Sequence, residues 1–438
     1  MKVDFEDISS VKKKVNVVVP ADTVAKEIEK AYDSLKKKAK VKGFRPGKVP
    51  RDILIQRFKE EVEADVTEKI FKDTYPEAIK EVGIEPITYP DVDTKGAKTG
   101  KDFSYSATVE VLPKITVTGF EGMEVEKEKV NLDQKDVDTV LKNFAESHAT
   151  LETETKERQV KSGDIAVIDF EAFIGDEPVD GGKAENYPIE VGAGKFLEKF
   201  EKKLIGKMPK DSVTIDVDFP DDYPNELFKG KKIKFDVTIN EIKVKKLPEI
   251  DDEFAKDVGD FKDLKDLRDS IMKDLEHREK TRVEMEFNEM ILKKLIELNP
   301  FEVPDALVDQ RSIDIIRDTE MRLRGQGLSL ESVGADPKSM MSTVRPQAEF
   351  DVKSNFILGE IARSENIEAT KEEAEQRLKK DSEAADAKYE EIKERYDKQQ
   401  AWGDLIARMR REKTLDFLGK IVKIKEVKKK RGKGHEGT

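Results

Sequence analysis

One long apolar stripe in the middle of the chain limits the folds it can adopt more than any other feature. Between Leu264 and Leu298 the apolar residues recur every three or four positions, which is the spacing along one face of an α-helix. The stripe predicts a helix of about 35 residues, whereas the mean helix has roughly 11–12. Such a helix is longer than an ordinary core is wide, so it must extend beyond any single core.

Composition favours several exposed helices over one compact globule. Charged residues make up 40% of the 438 residues, hydrophobic residues 37% and aromatic residues 7%, and the formal net charge is -12. The length predicts about two to four domains. The chain has no cysteine, and its three histidines, His148, His277 and His435, are far apart. We therefore expect no disulfide, no metal site and no cofactor.

The sequence has no sign of a membrane segment or a targeting segment. No apolar run approaches the roughly 20 residues that a membrane-spanning helix needs. Residues 1–6 alternate apolar and charged side chains, which is unlike a targeting segment. The sequence therefore predicts a soluble, cytoplasmic protein with no membrane partner.

The N-terminal part combines strand and helix patterns. Residues 2–19 and 103–112 alternate apolar and polar side chains as strands do. Between them lie two helical patterns, one that begins after Pro20 and one over residues 53–71. Strands that enclose two helices predict an α+β domain over residues 1–112.

The turn between these two helices is strongly basic in an acidic chain. From Lys36 to Lys59 there are seven Lys and three Arg against one acid, Asp52. Two glycines and two prolines break the helical pattern and leave Phe44 in the turn. An aromatic ring among positive charges suggests a surface that docks on an anionic partner. A solvated helix face with a buried loop phenylalanine is the alternative.

The middle of the chain changes from a connector to a strand-rich segment. The connector, 113–150, carries one helical pattern with Asp133 at its N-cap position. Over residues 151–245 the pattern is short strands and glycine turns around a single helical piece, 196–204. We expect a small β half-barrel wrapped around one helix there.

The rest of the chain is helical in pattern over residues 246–427, so we expect an elongated all-α domain. Pro300 and Pro304 break the long helix, and residues 372–411 are nearly saturated with charge yet keep the apolar spacing of a helical arm. The last residues, 428–438, are basic, and we expect them to be disordered.

The basic turn resembles a known signature. Gly43-Phe44-Arg45 followed by Gly47-Lys48-Val49-Pro50 is similar to the ribosome-binding signature of bacterial trigger factor. The resemblance implies docking beside the exit tunnel of the large ribosomal subunit, on protein and rRNA, through Gly43, Phe44, Arg45, Pro46, Gly47 and Lys48. Where the family usually has Lys, this chain has Pro46.

Residues 151–245 resemble an FKBP-type peptidyl-prolyl isomerase domain. The resemblance lies in Val167–Phe170, Val179–Gly182, Phe196–Phe200, Phe219–Tyr223 and Phe235–Val237. It implies a catalytic site formed by Phe170, Asp180, Tyr187, Phe196, Leu197, Phe200, Tyr223 and Phe235. The chain departs from the family at Val179, where an aromatic residue is usual, and at Lys199 and Lys203, where glycines are usual.

These residue types suit prolyl isomerisation, which needs no nucleophile. Rotation about an X-Pro bond meets a barrier of about 18–20 kcal/mol because the amide loses its resonance. An aromatic box holds the proline ring away from water, and Asp180 and the Tyr223 hydroxyl offer polar contacts to the twisted carbonyl region. The alternative is an ordinary β-domain core, in which the same aromatic residues would occur.

The basic turn, the isomerase-like segment and the helical region follow one another in the order that trigger factor uses. The resemblance to that family therefore covers nearly the whole chain. The resemblance implies a multidomain α+β protein with an N-terminal α+β ribosome-binding domain, an FKBP-like β half-barrel and an all-α C-terminal domain with arms. It implies a ribosome-associated chaperone that binds nascent and unfolded polypeptides and isomerises X-Pro bonds. Candidate client contacts are Met321, Met340, Met341, Phe350 and Phe356, because thioethers and rings adapt to many partners.

Two further functions stay open at this point. The chain could be a stand-alone FKBP-type isomerase with a helical dimerisation region, and a homodimer off the ribosome is compatible with the sequence.

The other alternative is a nucleic-acid-binding protein that uses residues 36–59. The acidic net charge and the lack of interleaved aromatic residues disfavour it, and we expect no DNA partner. No phosphate-binding Gly-rich loop occurs, which agrees with chaperone activity without ATP.

Overall fold

The computed structural model describes residues 1–42, 44, 47–175, 177–194, 198–219 and 228–428, without the side chains of Asp180 and Glu198. The basic tail expected to be disordered therefore lies outside the described residues from 429 on. The chain forms two compact units, Met1–Glu126 with Glu286–Lys425, and Lys127–Met285 with the residues from Glu426 on. No helix in the described part is long and apolar enough to cross a membrane.

The first unit begins with an antiparallel four-stranded sheet in the order β1-β2-β4-β3. Its strands are β1 (Lys2–Asp7), β2 (Lys12–Val19), β3 (Asp91–Thr94) and β4 (Phe103–Glu110). Val15, Val17 and Val19 are buried on one face of β2, as the period of two requires. The strands predicted over 2–19 and 103–112 are confirmed. All four residues of β3 are exposed, so no apolar alternation indicated that strand.

Two helices cover this sheet. Helix α1 (Ala21–Lys38) follows Pro20 and ends in three lysines, whose charges suit the negative end of a helix dipole. Helix α2 (Arg51–Val82) has a kink at Phe58, where φ is -126°, and ends at Gly83 in the left-handed conformation. Both helices bury apolar side chains against the sheet in one core cluster. The predicted helical hairpin is confirmed, and its turn spans residues 39–50.

The first unit also contains the C-terminal helices. They are the end of α6 (Leu264–Leu298), α7 (Asp305–Gly325), α8 (Pro337–Ser364), α9 (Lys371–Ala384), α10 (Tyr389–Gln399) and α11 (Trp402–Ile421). Helix α6 has 35 residues, as the apolar stripe predicts. The stretch 372–411 is divided among three helices. A short 3₁₀ helix, Glu331–Val333, lies between α7 and α8.

The end of the expected all-α region is a strand. Residues Lys423–Val427 form β11, which pairs with β5 (Glu124–Glu128) in a two-stranded sheet. Residues 246–427 were expected to be helical almost to their end, and the strand at that end was not predicted. Five residues are too few to set a helical or strand period, and the strand's partner lies about 300 positions away, where a local pattern cannot reveal it.

The second unit contains a small helical part and a β-rich part. Helix α3 (Gln134–Ser147) begins at Asp133, whose side chain accepts a hydrogen bond from the Lys135 N–H at 2.9 Å. Asp136 accepts from the Asp133 N–H at 2.8 Å, so the predicted N-cap is confirmed and is part of a capping box. Helix α5 (Asp252–Val258) and the first half of α6 bury apolar residues against α3.

The β-rich part is a five-stranded antiparallel sheet around one helix. Its strands are β6 (Thr150–Thr153), β7 (Ile165–Ile174), β8 (Glu177–Glu190), β9 (Ser212–Asp218) and β10 (Lys232–Lys246). Strand β10 pairs with β6, β7 and β9, and β8 pairs with β7. Helix α4 (Glu198–Leu204) buries Phe200 and Leu204 in the same core. The expected half-barrel with one helix is present.

A buried ion pair anchors the entrance to β7. Asp164 is 6% exposed, and its two carboxylate oxygens accept from Arg158 Nη1 at 2.6 Å and Nη2 at 2.8 Å. Its Oδ2 also accepts from the Lys161 N–H at 2.8 Å, and Arg158 Nε donates to Glu154 at 2.8 Å. The bonds from Arg158, and then the one from Lys161, hold the pKa of Asp164 below its ordinary value, against the opposing effect of burial.

We expect Asp164→Asn to lower the free energy of opening of β7 and β10 by about 2–3 kcal/mol, because a half-buried guanidinium loses its carboxylate. Since the folded pKa is lowered, the contribution of Asp164 is complete above the unfolded pKa of about 4 and is lost as the pH falls through the folded pKa. Hydrogen–deuterium exchange of the full chain, measured from pH 7 downwards, would report both the effect of the substitution and the effect of pH.

The matched control is Asp218→Asn. Asp218 pairs with Lys199 at 3.4 Å, but both side chains are more than 60% exposed, so the change should stay within about 0.5 kcal/mol. If Asp164→Asn and Asp218→Asn lowered the free energy of opening equally, the buried pair would have no special role.

Candidate functional site

Six aromatic residues form a connected group in the β-rich part, which we name the Phe235 cluster. The ring of Phe235 lies 5.9 Å from Phe170, 5.4 Å from Phe200 and 6.4 Å from Phe219, measured between ring centroids. Phe170 also meets Tyr187 at 5.8 Å, and Phe219 stacks on Phe228 at 5.3 Å. The contacts of Phe170 and Phe200 with Phe235 are edge-to-face, the geometry that aromatic quadrupoles favour.

The strand pattern explains why these rings meet. On β10 the buried side chains Ile233, Phe235, Val237 and Ile239 alternate with more exposed ones, so Phe235 points to the inner face. Phe170 is on β7, where its backbone lies opposite Val237 of β10. Phe200 comes from α4, which the sheet encloses. Three separate elements therefore supply the centre of the cluster.

The cluster is buried at its centre and exposed to solvent at Tyr187. Phe200 is fully buried and Phe235 is 3% exposed, whereas Tyr187 is 44% exposed. Apolar walls of this kind exclude water from a small apolar group that enters from the exposed side. The arrangement can bind a proline ring in a dry environment, which is the chemistry expected for the predicted box.

The structure brings together four of the eight predicted catalytic residues: Phe170, Tyr187, Phe200 and Phe235. The side chain of Asp180 and the residues Phe196, Leu197 and Tyr223 lie outside the described part of the structure. Phe219 and Phe228 were missed as cluster members. Phe219 was named in the sequence analysis only as part of the stretch Phe219–Tyr223 that resembles the FKBP family. Nothing in the pattern near Phe228 indicated that its ring reaches Phe219.

The departures from the FKBP pattern leave this cluster unblocked. Lys199 is exposed and pairs with Asp218 at 3.4 Å, and Lys203 is exposed. Both lysines of α4 therefore extend towards solvent. Val179 is half-buried against the same core, where it provides a smaller apolar surface than an aromatic ring would.

A buried carboxylate beside the cluster holds a glycine loop. Glu201 is 2% exposed, and its Oε2 accepts from the Gly192 N–H at 2.8 Å and from the Gly194 N–H at 3.1 Å. Gly192 has φ +86°, and a Cβ there would come within 2.1 Å of Ser162 Oγ, so only glycine fits. Glu201 was not predicted, although it is the acid next to Phe200 on α4.

A second polar group positions Tyr187. Asp169 Oδ1 accepts from the Asn186 N–H at 2.6 Å and from Asn240 Nδ2 at 2.7 Å. Asn186 has a left-handed φ of 53°, and the register of β7 and β8 shifts between Ile168 and Phe170. The carboxylate thus fixes the irregular backbone that directly precedes Tyr187. The sequence pattern did not indicate this network.

The basic turn of the first unit has a buried base and an exposed tip. Val41 is 5% exposed and Val49 1%, and both pack into the core beneath the sheet and helices. Between them Phe44 is 40% exposed, and its N–H donates to the Val41 carbonyl at 3.0 Å. Gly47 has φ +82°. Gly43, Arg45 and Pro46 lie outside the described residues.

The lysines around Phe44 are available to a partner. Lys40, Lys42 and Lys48 are exposed and have no ion pair with any residue that the structure describes. Arg51, in contrast, lies 3.4 Å from Glu29 and 5.9 Å from the Tyr32 ring centroid. The turn therefore presents one ring with several uncompensated positive charges.

The candidate client contacts differ in exposure. Met321 is 58% exposed on α7, and Met340 and Met341 are half-buried at the start of α8. Phe350 packs against the core of α6, α8 and α11, and the ring centroids of Phe356 and Phe301 are 6.3 Å apart.

In the described part of the chain, no group of three His, Asp or Glu side chains is placed to hold a metal ion.

Comparison with known families accounts for nearly the whole chain. The model of the bacterial trigger factor protein matches residues 1–144, and that of its C-terminus matches residues 263–420. The model of the FKBP-type peptidyl-prolyl cis-trans isomerase matches residues 156–240, which include the Phe235 cluster. A solved chain described as "Promiscuous Substrate Recognition in Folding and Assembly Activities of the Trigger Factor Chaperone" is 21% identical, with a TM-score of 0.49, covering 95% of this chain and 99% of its own.

Two curated relatives match over almost their full length. A trigger factor of Geotalea uraniireducens (strain Rf4) is 37% identical over 428 residues, which are 98% of this chain and 99% of the relative. A trigger factor of Geotalea daltonii is 38% identical over 431 residues, with the same two shares. On this identity and coverage, the chain belongs to the bacterial trigger factor family.

Proposed function

We propose that this chain holds polypeptides as they emerge from the ribosome and isomerises their X-Pro bonds without ATP. As a trigger factor it is a ribosome-associated chaperone that binds nascent chains, and its FKBP-type domain is a peptidyl-prolyl cis-trans isomerase. The observation that carries the proposal is the Phe235 cluster, a group of aromatic rings that is buried at Phe200 and Phe235 and exposed at Tyr187. Family membership does not favour a stand-alone isomerase with a helical dimerisation region.

The proposed isomerase mechanism works through environment. The planar amide is polar and is well solvated in water, whereas the twisted transition state has lost its resonance. A dry site therefore binds the transition state better than the ground state. Phe200 and Phe235 form the floor for the proline ring, and Phe170 and Tyr187 form a wall.

We assign the remaining roles by resemblance to the FKBP family. Phe196 and Leu197 complete the apolar wall, and Asp180 and the Tyr223 hydroxyl contact the carbonyl region as it twists. Glu201 and Asp169 position the two loops beside the cluster, and neither of them contacts the proline ring in this assignment.

We propose that the basic turn docks on the large ribosomal subunit near the exit tunnel. Phe44 inserts into a pocket of ribosomal protein, and the lysines meet carboxylates or rRNA phosphates. Gly43, Arg45, Pro46, Gly47 and Lys48 complete this site by resemblance. The support is the exposed ring among uncompensated charges in a chain of net charge -12.

The domain division that we propose follows the family pattern. The ribosome-binding domain comprises residues 1–112, and a connector over 113–150 leads to the prolyl isomerase domain, 151–245. The helical domain that binds clients comprises residues 246–427, and a basic tail follows from 428 to 438. Met321, Met340, Met341, Phe350 and Phe356 are the proposed client contacts. A ribosome-bound chaperone of this kind works in the cytoplasm, and a homodimer off the ribosome would shield its client surfaces.

We expect Phe44→Ala to reduce co-sedimentation with ribosomes strongly, by about tenfold or more, because it removes a buried anchor from the interface. Prolyl isomerisation of a short peptide should stay unchanged. Binding of the unaltered chain should also weaken as salt screens the lysines. Phe5→Ala is the matched control, since Phe5 is a phenylalanine of similar exposure, 45%, on β1. Unchanged co-sedimentation of Phe44→Ala would refute the docking site.

For the isomerase, Tyr187→Ala should lower kcat/KM by about twofold to tenfold, because one aromatic contact is worth about 0.5–1.5 kcal/mol. Phe235→Leu, which keeps an apolar floor, should lower kcat/KM further while the domain stays folded. Tyr89→Ala is the control, since Tyr89 is 99% exposed in the other unit. Activity that is insensitive to both site variants would place the reaction elsewhere.

Client holding should be separable from isomerisation. Phe235→Leu should still suppress aggregation of a denatured protein that has no slow prolyl step, because unfolded chains bind by many weak apolar contacts. The triple change of Met321, Met340 and Met341 to Ser should raise the chaperone concentration that is needed to suppress aggregation by about twofold to fivefold. The control changes three other exposed methionines to Ser: Met208, Met285 and Met290. If Phe235→Leu alone removes suppression, holding depends on the isomerase site.

A further inference from the structure

We propose that strand β3 of the N-terminal sheet binds an extended polypeptide segment by β-strand addition, and that basic and apolar residues alternate in this segment. The inference rests on the proposed client-binding function and assigns to it a second surface with its own binding mode. Strand β3 (Asp91–Thr94) is the last strand of the sheet order β1-β2-β4-β3. We name its side away from β4 the β3 edge.

The backbone of β3 has hydrogen-bonding groups that its own sheet leaves free. The strand is antiparallel to β4, with Val92 opposite Ala107 and Thr94 opposite Tyr105. In such a pair alternate residues direct their N–H and C=O groups away from the partner strand. Among the described residues, none outside β4 forms a hydrogen bond with the backbone of β3. The β3 edge therefore presents main-chain donors and acceptors with which a further strand can pair.

The apolar core of the sheet stops one strand short of this edge. Tyr105 and Ala107 of β4 are buried, and the Tyr105 ring centroid lies 5.1 Å from that of Phe71 on α2. Val92 and Thr94 lie opposite them on the same face of the sheet, but both are exposed. Helix α2 therefore covers β4 and leaves the same face of β3 open to solvent.

A cavity of about 480 Å³ lies between α2 and β3 on this face. Ala97, in the loop after β3, donates its N–H to Thr67 Oγ1 of α2 at 2.8 Å, which holds that loop against the helix. The apolar residues that line the cavity are Ala64, Phe71, Val92, Ala97 and Phe103. An apolar side chain from a strand added at the β3 edge fits into this cavity.

The segment before β3 extends the same edge. The Ile87 N–H donates to the Glu110 carbonyl of β4 at 2.9 Å, so this segment also runs beside β4. Its side chains Ile87 and Tyr89 are exposed, and Tyr89 almost completely so. Together with Val92 they provide apolar surface along the line that an added strand would follow.

The other face of β3 is acidic. Asp91 and Asp93 alternate with Val92 and Thr94, so their side chains lie on the face opposite the cavity. Neither aspartate forms an ion pair with any residue that the structure describes. Unlike charges that face each other across two strands stabilise the pair, and like charges destabilise it. The β3 edge therefore favours basic residues on that face and disfavours pairing with the same edge of a second copy.

The cavity itself has charges of both signs. Glu63 and Glu68 line it from α2, and Lys95 and Lys98 line it from the loop after β3. Glu68 is paired with Lys72 on its own helix. The basic residues of a bound segment are thus expected on the aspartate face, and its apolar residues on the cavity face. A strand meets both requirements when the two residue types alternate.

The test uses the full chain and three fluorescein-labelled 10-residue peptides without proline. In the first, Lys and Val alternate over six positions between Gly-Ser ends. The second has Glu in place of Lys, and the third has the residues of the first as a block of three Lys and a block of three Val. Fluorescence anisotropy at low salt should show the first peptide bound at least about fivefold more tightly than either of the others.

Three variants make the test specific. Asp91→Asn/Asp93→Asn should reduce the preference for Lys over Glu by about threefold or more, because it removes both charges and keeps the side-chain shape. Asp4→Asn/Glu6→Gln is the matched control: it removes two exposed acids from β1, at the other edge of the sheet, and should keep the preference. Ala64→Met adds bulk to the cavity wall without charge and should weaken binding of the first peptide. Circular dichroism spectra that match the unaltered chain show that each variant is folded.

Hydrogen–deuterium exchange reports the main-chain contact directly. Amides of an open strand edge exchange rapidly, and their exchange slows when another strand pairs with them. With the first peptide at saturation, exchange of residues 91–94 should slow by at least about fivefold. Exchange of strand β1, at the other edge, should not change.

Four outcomes would overturn the inference. They are equal affinity for the alternating and block Lys peptides, equal effects of the two acid-removing variants, unchanged exchange of residues 91–94 with the first peptide bound, and protection of these residues that rises with protein concentration without peptide. The last outcome would assign the β3 edge to a second copy of the chain.

Ribosome co-sedimentation and aggregation suppression, measured on the same samples, separate this failure from a failure of the proposed function. If the unaltered chain suppresses aggregation but binds the alternating and block peptides equally, only strand addition at β3 fails. If it neither suppresses aggregation nor binds ribosomes, the proposed function itself fails.

Discussion

The C-terminal helices of the first unit depend on a core that is assembled from distant parts of the sequence. Phe120 and Val125, which follow the N-terminal sheet, are buried in the same cluster as Phe287 of α6, Ile361 of α8 and Leu418 of α11. Burying one such side chain is worth about 1.5–3 kcal/mol, so each helix keeps its place only with the others present. At the edge of the sheet, Glu110 accepts from the Ala306 N–H at 2.9 Å and Ser10 donates to Glu302 at 2.9 Å. The N-terminal sheet is therefore in contact with the segment that leads into α7.

In the second unit, two carboxylates, Glu201 and Asp169, hold the backbone beside the proposed isomerase site. A carboxylate without partners is costly in an apolar interior, but Glu201 is hydrogen-bonded to two glycine amides. Asp169 holds the backbone before Tyr187 in a similar way. The aromatic rings of the proposed proline site thus rest on a fixed frame.

Local patterns predicted the regular elements well and the irregular ones poorly. The period of α6 and the capping box at Asp133 depend on residues a few positions apart, so the sequence sufficed for both. The breaks between α9, α10 and α11 were missed, because left-handed residues occur there at Asp386 and Gln400 without a glycine or proline. The edge strand β3 and the strand β11 were missed because pairing with a distant strand creates them.

The sequence by itself determined the residue types at both sites: a phenylalanine among lysines in a turn, and aromatic residues at the strand and helix positions of an FKBP-type domain. Only the tertiary structure decided that Phe219 and Phe228 join the Phe235 cluster, and that Lys199 and Lys203 extend into solvent. It also decided that three arginines of α11, Arg408, Arg410 and Arg411, line a cavity beside Asn355. The reason is physical: side-chain identity and period are local properties, whereas burial and cavity shape follow from packing between segments that are far apart in sequence.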